Sequence, residues 1–349
     1  MMIEKLARKN ILNLKPYTSA RDMYSKGILL DANENSLGST AEYYEDLYLN
    51  RYPDPHQEDL KKAAGEYLGV EGKNLFFGVG SDEIIDLIIR IFCEPKEDSV
   101  MILDPTYGMY QVACDINNVK TKSVNLTEEF QIDFEAVKKN FDETVKVIFL
   151  CSPNNPTGNL LKKSDVIKLA ESFNAIIAVD EAYVDFAGDN SFIKEVNSHE
   201  NLVIIRTFSK AWGLAGIRLG FCVANEEVIQ LLFKVKAPYN VSSLTRQAVI
   251  GAIGNYGKKD EFVQKLISER ERVKNELMKI PGILKVYPSD ANYLLFKCRD
   301  AKLIQKKMAD EGVIIRDRSS YEMLEGCLRV SIGTEYENNK FLDIIKKLL

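Results

Sequence analysis

Histidine is nearly missing from this chain: of 349 residues only His56 and His199 are histidines. A zinc centre needs several His or Cys ligands converging on one point, so no metal site is expected. The six cysteines, Cys93, Cys114, Cys151, Cys222, Cys298 and Cys327, are far apart and none forms a Cys-x-x-Cys pair. Several lie inside apolar runs, which predicts buried free thiols and not a redox or disulfide framework. Excess positive charge is lacking too, since 46 Lys and Arg stand against 51 Asp and Glu, a net charge of −5. The signs are mixed throughout, so no polynucleotide partner is expected. No apolar run approaches the length that crosses a bilayer, and Met1-Met2-Ile3-Glu4-Lys5 has no apolar signal core. The expectation is a cytoplasmic chain with no membrane partner. Repeats and low-complexity tracts are absent as well.

What is present reads as an ordinary folded protein, 46% hydrophobic and 28% charged, long enough for two domains. From residue 99 onward, strand-like runs alternate with helical patterns: strands over 99–103, 120–124, 145–151, 175–179 and 202–206, helices over 107–117, 134–140 and 163–173. The strand runs are continuously apolar, as in strands covered on both faces, and the alternation predicts a doubly wound α/β sheet. A helix is expected over 57–67 and, before it, a short helical pattern over 3–11 that stops near Pro16. A long helix over 260–279 leads to a smaller α/β unit with strands over 293–297, 313–317 and 328–332 and a helix over 301–311. The expected division is an N-terminal segment 1–30 packing on the small domain or a partner, a large domain 31–255 and a small domain 256–349.

In such sheets ligands collect beyond the C-terminal strand ends. Four runs end there in polar groups: Asp104-Pro105-Thr106-Tyr107, Ser152-Pro153-Asn154-Asn155-Pro156-Thr157-Gly158, Asp180-Glu181-Ala182-Tyr183 and Thr207-Phe208-Ser209-Lys210. The last group places a lysine at a strand end, with Arg218 eight residues on. A neighbouring cation and partial desolvation favour the neutral amine, which condenses with an aldehyde. Ser209 and Arg218 suit a phosphate. Lysine and phosphate clamp together are what pyridoxal 5′-phosphate (PLP) requires; the alternative is an exposed lysine in a glycine-rich loop. Asp180 suits a protonated ring nitrogen, or a helix cap. Asn155 and Tyr183 offer groups for the 3′-oxygen, although 154–158 has turn composition regardless. Tyr107 suits ring stacking, while Tyr107 and Tyr110 equally suit the core. Upstream, Gly78 and Gly80 let a backbone approach a ligand, and Ser81 or Asp82 can cap a helix whose N–H groups favour an anion. Asp31-Ala32-Asn33-Glu34-Asn35 and Arg51-Tyr52-Pro53-Asp54-Pro55 read as turns.

The order and spacing of 152–158, 180–183 and Ser209-Lys210-Ala211-Trp212-Gly213-Leu214-Ala215-Gly216-Ile217-Arg218-Leu219-Gly220-Phe221 resemble the fold-type-I PLP-dependent aminotransferases, class II. The likeness runs from Asn10-Ile11-Leu12-Asn13-Leu14-Lys15-Pro16-Tyr17 to Cys327-Leu328-Arg329-Val330-Ser331-Ile332-Gly333-Thr334. It implies that Lys210 is the Schiff-base lysine and the base at substrate Cα, that Asp180 pairs with the ring nitrogen, that Asn155 and Tyr183 face the 3′-oxygen and that Tyr107 stacks. It further implies a phosphate held by Gly80, Ser81, Asp82, Thr207, Ser209 and Arg218, with Tyr52 from a second subunit, hence a homodimer. Arg316 and Arg329 would meet the anionic substrate group, with Tyr17, Asn33 and Asn292 nearby; the alternative for either arginine alone is a salt bridge. The implied reaction moves the amino group of a phosphorylated amino alcohol, L-histidinol phosphate, to a 2-oxo acid, 2-oxoglutarate. Rivals are a threonine-phosphate decarboxylase, an aromatic amino-acid aminotransferase and a non-catalytic effector-binding module.

Overall fold

The computed structural model describes residues 27–30, 33, 35–37 and 53–349. The helix expected over 3–11, Tyr17, Tyr52 and most of the turn residues 31–35 and 51–52 lie outside them.

The large sheet is built from β2 (Leu75–Gly78), β3 (Ser99–Asp104), β4 (Lys120–Asn125), β5 (Val145–Cys151), β6 (Ile176–Asp180), β7 (Leu202–Thr207) and β8 (Gly220–Ala224). Its spatial order is β2-β8-β7-β6-β5-β3-β4. Strand β8 runs against β2 and β7, and every other pair is parallel. Continuous apolar runs are explained by two cores, one on each face. Val147, Phe149 and Cys151 of β5 pack on one side with Ile84, Ile88, Tyr110 and Leu232. Ile148 and Leu150 pack on the other with Val166 and Leu169. The first face is covered by α2 (Gly80–Phe92), α3 (Met109–Asn117) and α6 (Glu226–Val235), the second by α5 (Lys163–Ser172). Helices α1 (Glu58–Leu68), α4 (Phe134–Asn140) and α7 (Ser243–Gly254) complete this part.

The long helix α8 (Tyr256–Leu277) leads into an antiparallel sheet ordered β12-β13-β10-β9, from β9 (Ile283–Val286), β10 (Tyr293–Cys298), β12 (Arg316–Asp317) and β13 (Cys327–Ser331). Between them lie α9 (Ala301–Asp310) and β11 (Val313–Ile314), and α10 (Glu335–Leu348) closes the chain. Strand β1 (Ile28–Leu29) pairs in parallel with β11 in a separate two-stranded sheet, joining the first described residues to this C-terminal part of the chain.

Three expectations need correction. The run 313–317 is two strands, since β11 pairs with β1 while β12 turns to β13. Helices α6 and α7 and strand β9 were not anticipated. Neither Ser81 nor Asp82 caps α2: the first-turn carboxylate of Glu83 accepts the Val79 N–H at 2.5 Å, and the helix begins at Gly80 with φ +76°. All six cysteines are buried and free.

Candidate active site

Strands β3, β5, β6 and β7 are neighbours, so the four polar groups that follow them gather at one edge. Prolines in cis after Asp104, Ser152 and Asn155 turn the chain there. Asn154 joins two of the groups, its amide donating to Pro105 O at 2.9 Å and Thr157 Oγ1 at 2.7 Å.

Asp180 ends β6, opposite Cys151 of β5, and is 2% exposed. Burial pushes its carboxyl up to about 6, against two donors: the Ala182 N–H on Oδ1 and the Tyr110 hydroxyl on Oδ2, each at 3.0 Å. Lys210 also favours the ionised form. The lysine is half-buried in the loop between β7 and β8, its Nζ 5.9 Å from the centre of the Tyr183 ring. The predicted lysine and carboxylate therefore share one end of the sheet.

From Tyr183 a buried hydrogen-bond chain reaches the second sheet. Its hydroxyl accepts from Asn33 Nδ2 at 3.1 Å and Asn155 Nδ2 at 3.5 Å, and Asn155 Oδ1 accepts from Arg329 Nη1 at 2.5 Å. Burial raises the Tyr183 phenol to about 12 in spite of the Arg329 charge. Asn33, in the left-handed region at φ +54°, is fixed on both sides of its backbone. Its N–H donates to Ser331 Oγ at 2.9 Å and its carbonyl accepts from Asn292 Nδ2 at 3.0 Å. A turn made only for chain reversal does not bury its asparagine to 1% exposure. Arg316 stands directly opposite Arg329 across β12 and β13, so both guanidinium groups project on one face. Among the described residues no carboxylate lies within ion-pair distance of Arg316.

A third group forms around the start of α2. A Cβ on Gly80 would stand 2.6 Å from Arg218 Nη2, and one on Gly220 only 2.5 Å from the Ser81 amide nitrogen. These two glycines let β8 and the arginine close on the helix N-terminus. Arg218 Nη2 lies 3.4 Å from Asp82 Oδ2, and the Tyr107 hydroxyl donates to Asp82 Oδ1 at 3.2 Å. The Asp82 side chain is thus engaged by donors, which leaves its backbone N–H as the group that can meet an anion. Thr207 and Ser209, both buried, are joined hydroxyl to hydroxyl at 3.0 Å. Hydroxyls, helix N–H groups and a guanidinium form a donor set that fits a phosphate.

Sequence reasoning missed four contributors. Tyr110 reads as core three residues after Tyr107, yet its hydroxyl is on Asp180. Tyr293 sets its ring edge-on to Tyr183 at 5.1 Å and donates to Asn154 O at 2.6 Å. Asn154 and Ser331 lie inside stretches that the sequence singled out, 152–158 and 327–334, but were given no role there beside Asn155 and Arg329.

The arrangement has close counterparts. A histidinol-phosphate aminotransferase from Cytophaga hutchinsonii is 45% identical over 346 residues, 99% of this chain and 98% of that one. Another, from Bacteroides thetaiotaomicron, is 45% identical over 348 residues, again 99% and 98%. The crystal structure of the histidinol-phosphate aminotransferase from Clostridium acetobutylicum superposes with a TM-score of 0.83 at 28% identity, covering 92% of this chain and 98% of that one. Since the family model for aminotransferase class I and II matches residues 26–345 as well, this chain belongs to that family.

Proposed function

We propose that the chain is a PLP-dependent transaminase of histidine biosynthesis. It transfers the amino group of L-histidinol phosphate to 2-oxoglutarate, giving imidazole acetol phosphate and glutamate. The observation that carries this reading is the grouping of an amine and a buried arginine around one pair of side chains: Arg329 donates to Asn155, Asn155 donates to the Tyr183 hydroxyl, and Lys210 Nζ stands 5.9 Å from the centre of the Tyr183 ring. The names of relatives at 45% identity support the choice of substrate.

The donor set fits PLP, which when bound supplies an aldehyde for amines and a cationic ring that takes up electrons from a broken Cα–H bond. Asp180 would pair with the ring nitrogen, Asn155 and Tyr183 would face the 3′-oxygen, and Tyr107 would lie against the ring. The N–H groups of Gly80, Ser81 and Asp82, with Thr207, Ser209 and Arg218, would hold the phosphate. Lys210 Nζ carries the proton lifted from substrate Cα. Arg316 and Arg329 bind the far anion, a phosphate ester in one substrate and a carboxylate in the other, with Asn33 and Asn292 beside them. Asn292 Oδ1 is buried without a hydrogen-bond partner among the described residues, which suits a substrate donor.

The same reading includes a cytoplasmic homodimer, with Tyr52 lent by the second copy and Tyr17 near the substrate, and the domain division 31–255 and 256–349. Among the described residues no helix is long and apolar enough to cross a membrane. The test is glutamate formation from histidinol phosphate and 2-oxoglutarate by the PLP-loaded protein. Carbon dioxide from O-phosphothreonine, or faster turnover of phenylalanine or tyrosine, would replace the substrate assignment. Failure of every amino donor would leave the effector-binding alternative.

A further inference from the structure

The Tyr110 hydroxyl lies on the one carboxylate that ends β6. The side chain is fully buried, and its ring is fixed from two sides: stacked on Phe149 with centroids 4.8 Å apart and planes 7° apart, and edge-on to Tyr107 at 5.5 Å. A phenylalanine would fill the same core space without bringing a polar atom into it. Burying a hydroxyl is unfavourable unless it finds a partner, and here the partner is Asp180 Oδ2 at 3.0 Å. The Ala182 N–H occupies the other oxygen, Oδ1, so each oxygen has one donor and keeps a lone pair to offer elsewhere.

We propose that Tyr110 is a positioning residue for Asp180, orienting its carboxylate and keeping it ionised so that it can receive the ring nitrogen of PLP. This rests on the PLP reading above. The groups acting on Asp180 are Tyr110 from α3, Cys151 from β5, Lys210 from the loop after β7, Asp82 from α2 and Tyr183 just beyond β6. Of these, Lys210 favours the carboxylate while Asp82 opposes it, and Tyr110 is the side-chain donor in direct contact.

The experiment is absorbance titration of PLP into the cofactor-free protein across pH, for wild type, Tyr110→Phe, Asp180→Asn and the double variant. Tyr110→Phe should weaken binding about tenfold, the scale of one hydrogen bond to a charged group. It should also move the acid limb of binding to higher pH, because the carboxylate then protonates more readily. Difluorotyrosine at 110, a stronger donor of nearly the same shape, should move that limb the other way. In the Asp180→Asn background, Tyr110→Phe should change affinity by less than about twofold, since the partner has lost its charge. Equal losses in both backgrounds, or an acid limb that neither variant moves, would overturn the positioning role while leaving PLP binding intact. A wild type that takes up no PLP would overturn both readings.

Discussion

Asp180 and Glu181 are adjacent, buried, and raised by desolvation to about 6 and about 7. Exposed carboxyls of an unfolded chain titrate near 4, so between about pH 4 and 7 the folded protein holds these protons more tightly than the unfolded one. The stability they carry is complete at the acid end of that window and lost as pH rises through 6 and 7. Asp180→Asn cannot ionise, so it should stabilise the cofactor-free protein at pH 8, by up to about 3 kcal/mol, and far less at pH 5. Urea unfolding at the two pH values checks this, and an equal effect at both would sink it. A second residue-scale prediction concerns Gly80, whose φ of +76° strains any L side chain and where a methyl would push the Arg218 guanidinium away from the helix start. Gly80→Ala should weaken PLP binding at least several-fold, read by the same absorbance titration. The sequence showed Lys210, Asp180 and Asn155 because they follow apolar strands at spacings a family shares. It did not show Tyr110 or Tyr293, because a polar tip on a buried ring has no periodicity of its own.

Elements are held together by charges placed where the sequence suggested only packing. Lys259, in the first turn of α8, donates to Tyr67 of α1 at 3.1 Å and lies 3.7 Å from Asp185. Asp185 in turn accepts from Arg206 of β7 at 2.8 Å, and Glu181 lies 3.9 Å from Arg206 Nε. Lys259 Nζ also stands 5.4 Å from the Trp212 ring, two residues beyond Lys210. The network thus ties α8 to the strand ends and to the lysine loop. Lys259→Met leaves Asp185 its bond to Arg206 but removes the second cation and the donor to the Tyr67 hydroxyl, so it should cost about 1–3 kcal/mol in urea unfolding. A loss below about 1 kcal/mol would show that the network is not cooperative. At the last helix, Thr334 and Glu337 cap each other's backbone N–H, and Thr334→Ala should cost about 1 kcal/mol by the same measurement. Strands such as β5 were legible because burial on both faces writes an unbroken apolar run. Strand β9 was not: it is only four residues, Ile283-Leu284-Lys285-Val286, and its apolar side chains do not follow burial, Leu284 being 53% exposed. Helix α6, by contrast, carries an Asn225 cap and an apolar face of Val228, Ile229 and Leu232 that periodicity could have found. The pairing of β1 with β11 spans 285 positions on two residues a side, too little for local pattern to carry.

At the scale of the whole molecule, the candidate site lies where the two sheets meet. Arg329 comes from β13 of the second sheet and Asn155 from the loop that follows β5 of the first, and their hydrogen bond crosses the junction. Arg329→Lys keeps the charge but loses the planar fork. It should raise KM for histidinol phosphate and for 2-oxoglutarate about tenfold or more, with a smaller change in kcat, as steady-state kinetics would show. If KM for both substrates stayed put, the anion would have to bind elsewhere. The α/β class and the crowding of polar groups at one sheet edge could be read in advance, because parallel strands separated by helices must end on the same side. The reversal of β8 could not, since its apolar run looks like its neighbours'.

That reversal has a consequence for Lys210. Between β7 and β8 the chain folds straight back and is laced shut: the Phe208 N–H donates to Leu219 O, and the N–H groups of Leu214 and Gly213 return to Phe208 O and Lys210 O, all at 3.1 Å. The backbone that carries the amine is therefore tied to its own loop, and the four methylenes of the tether are the short arm on which the amine can swing from that post.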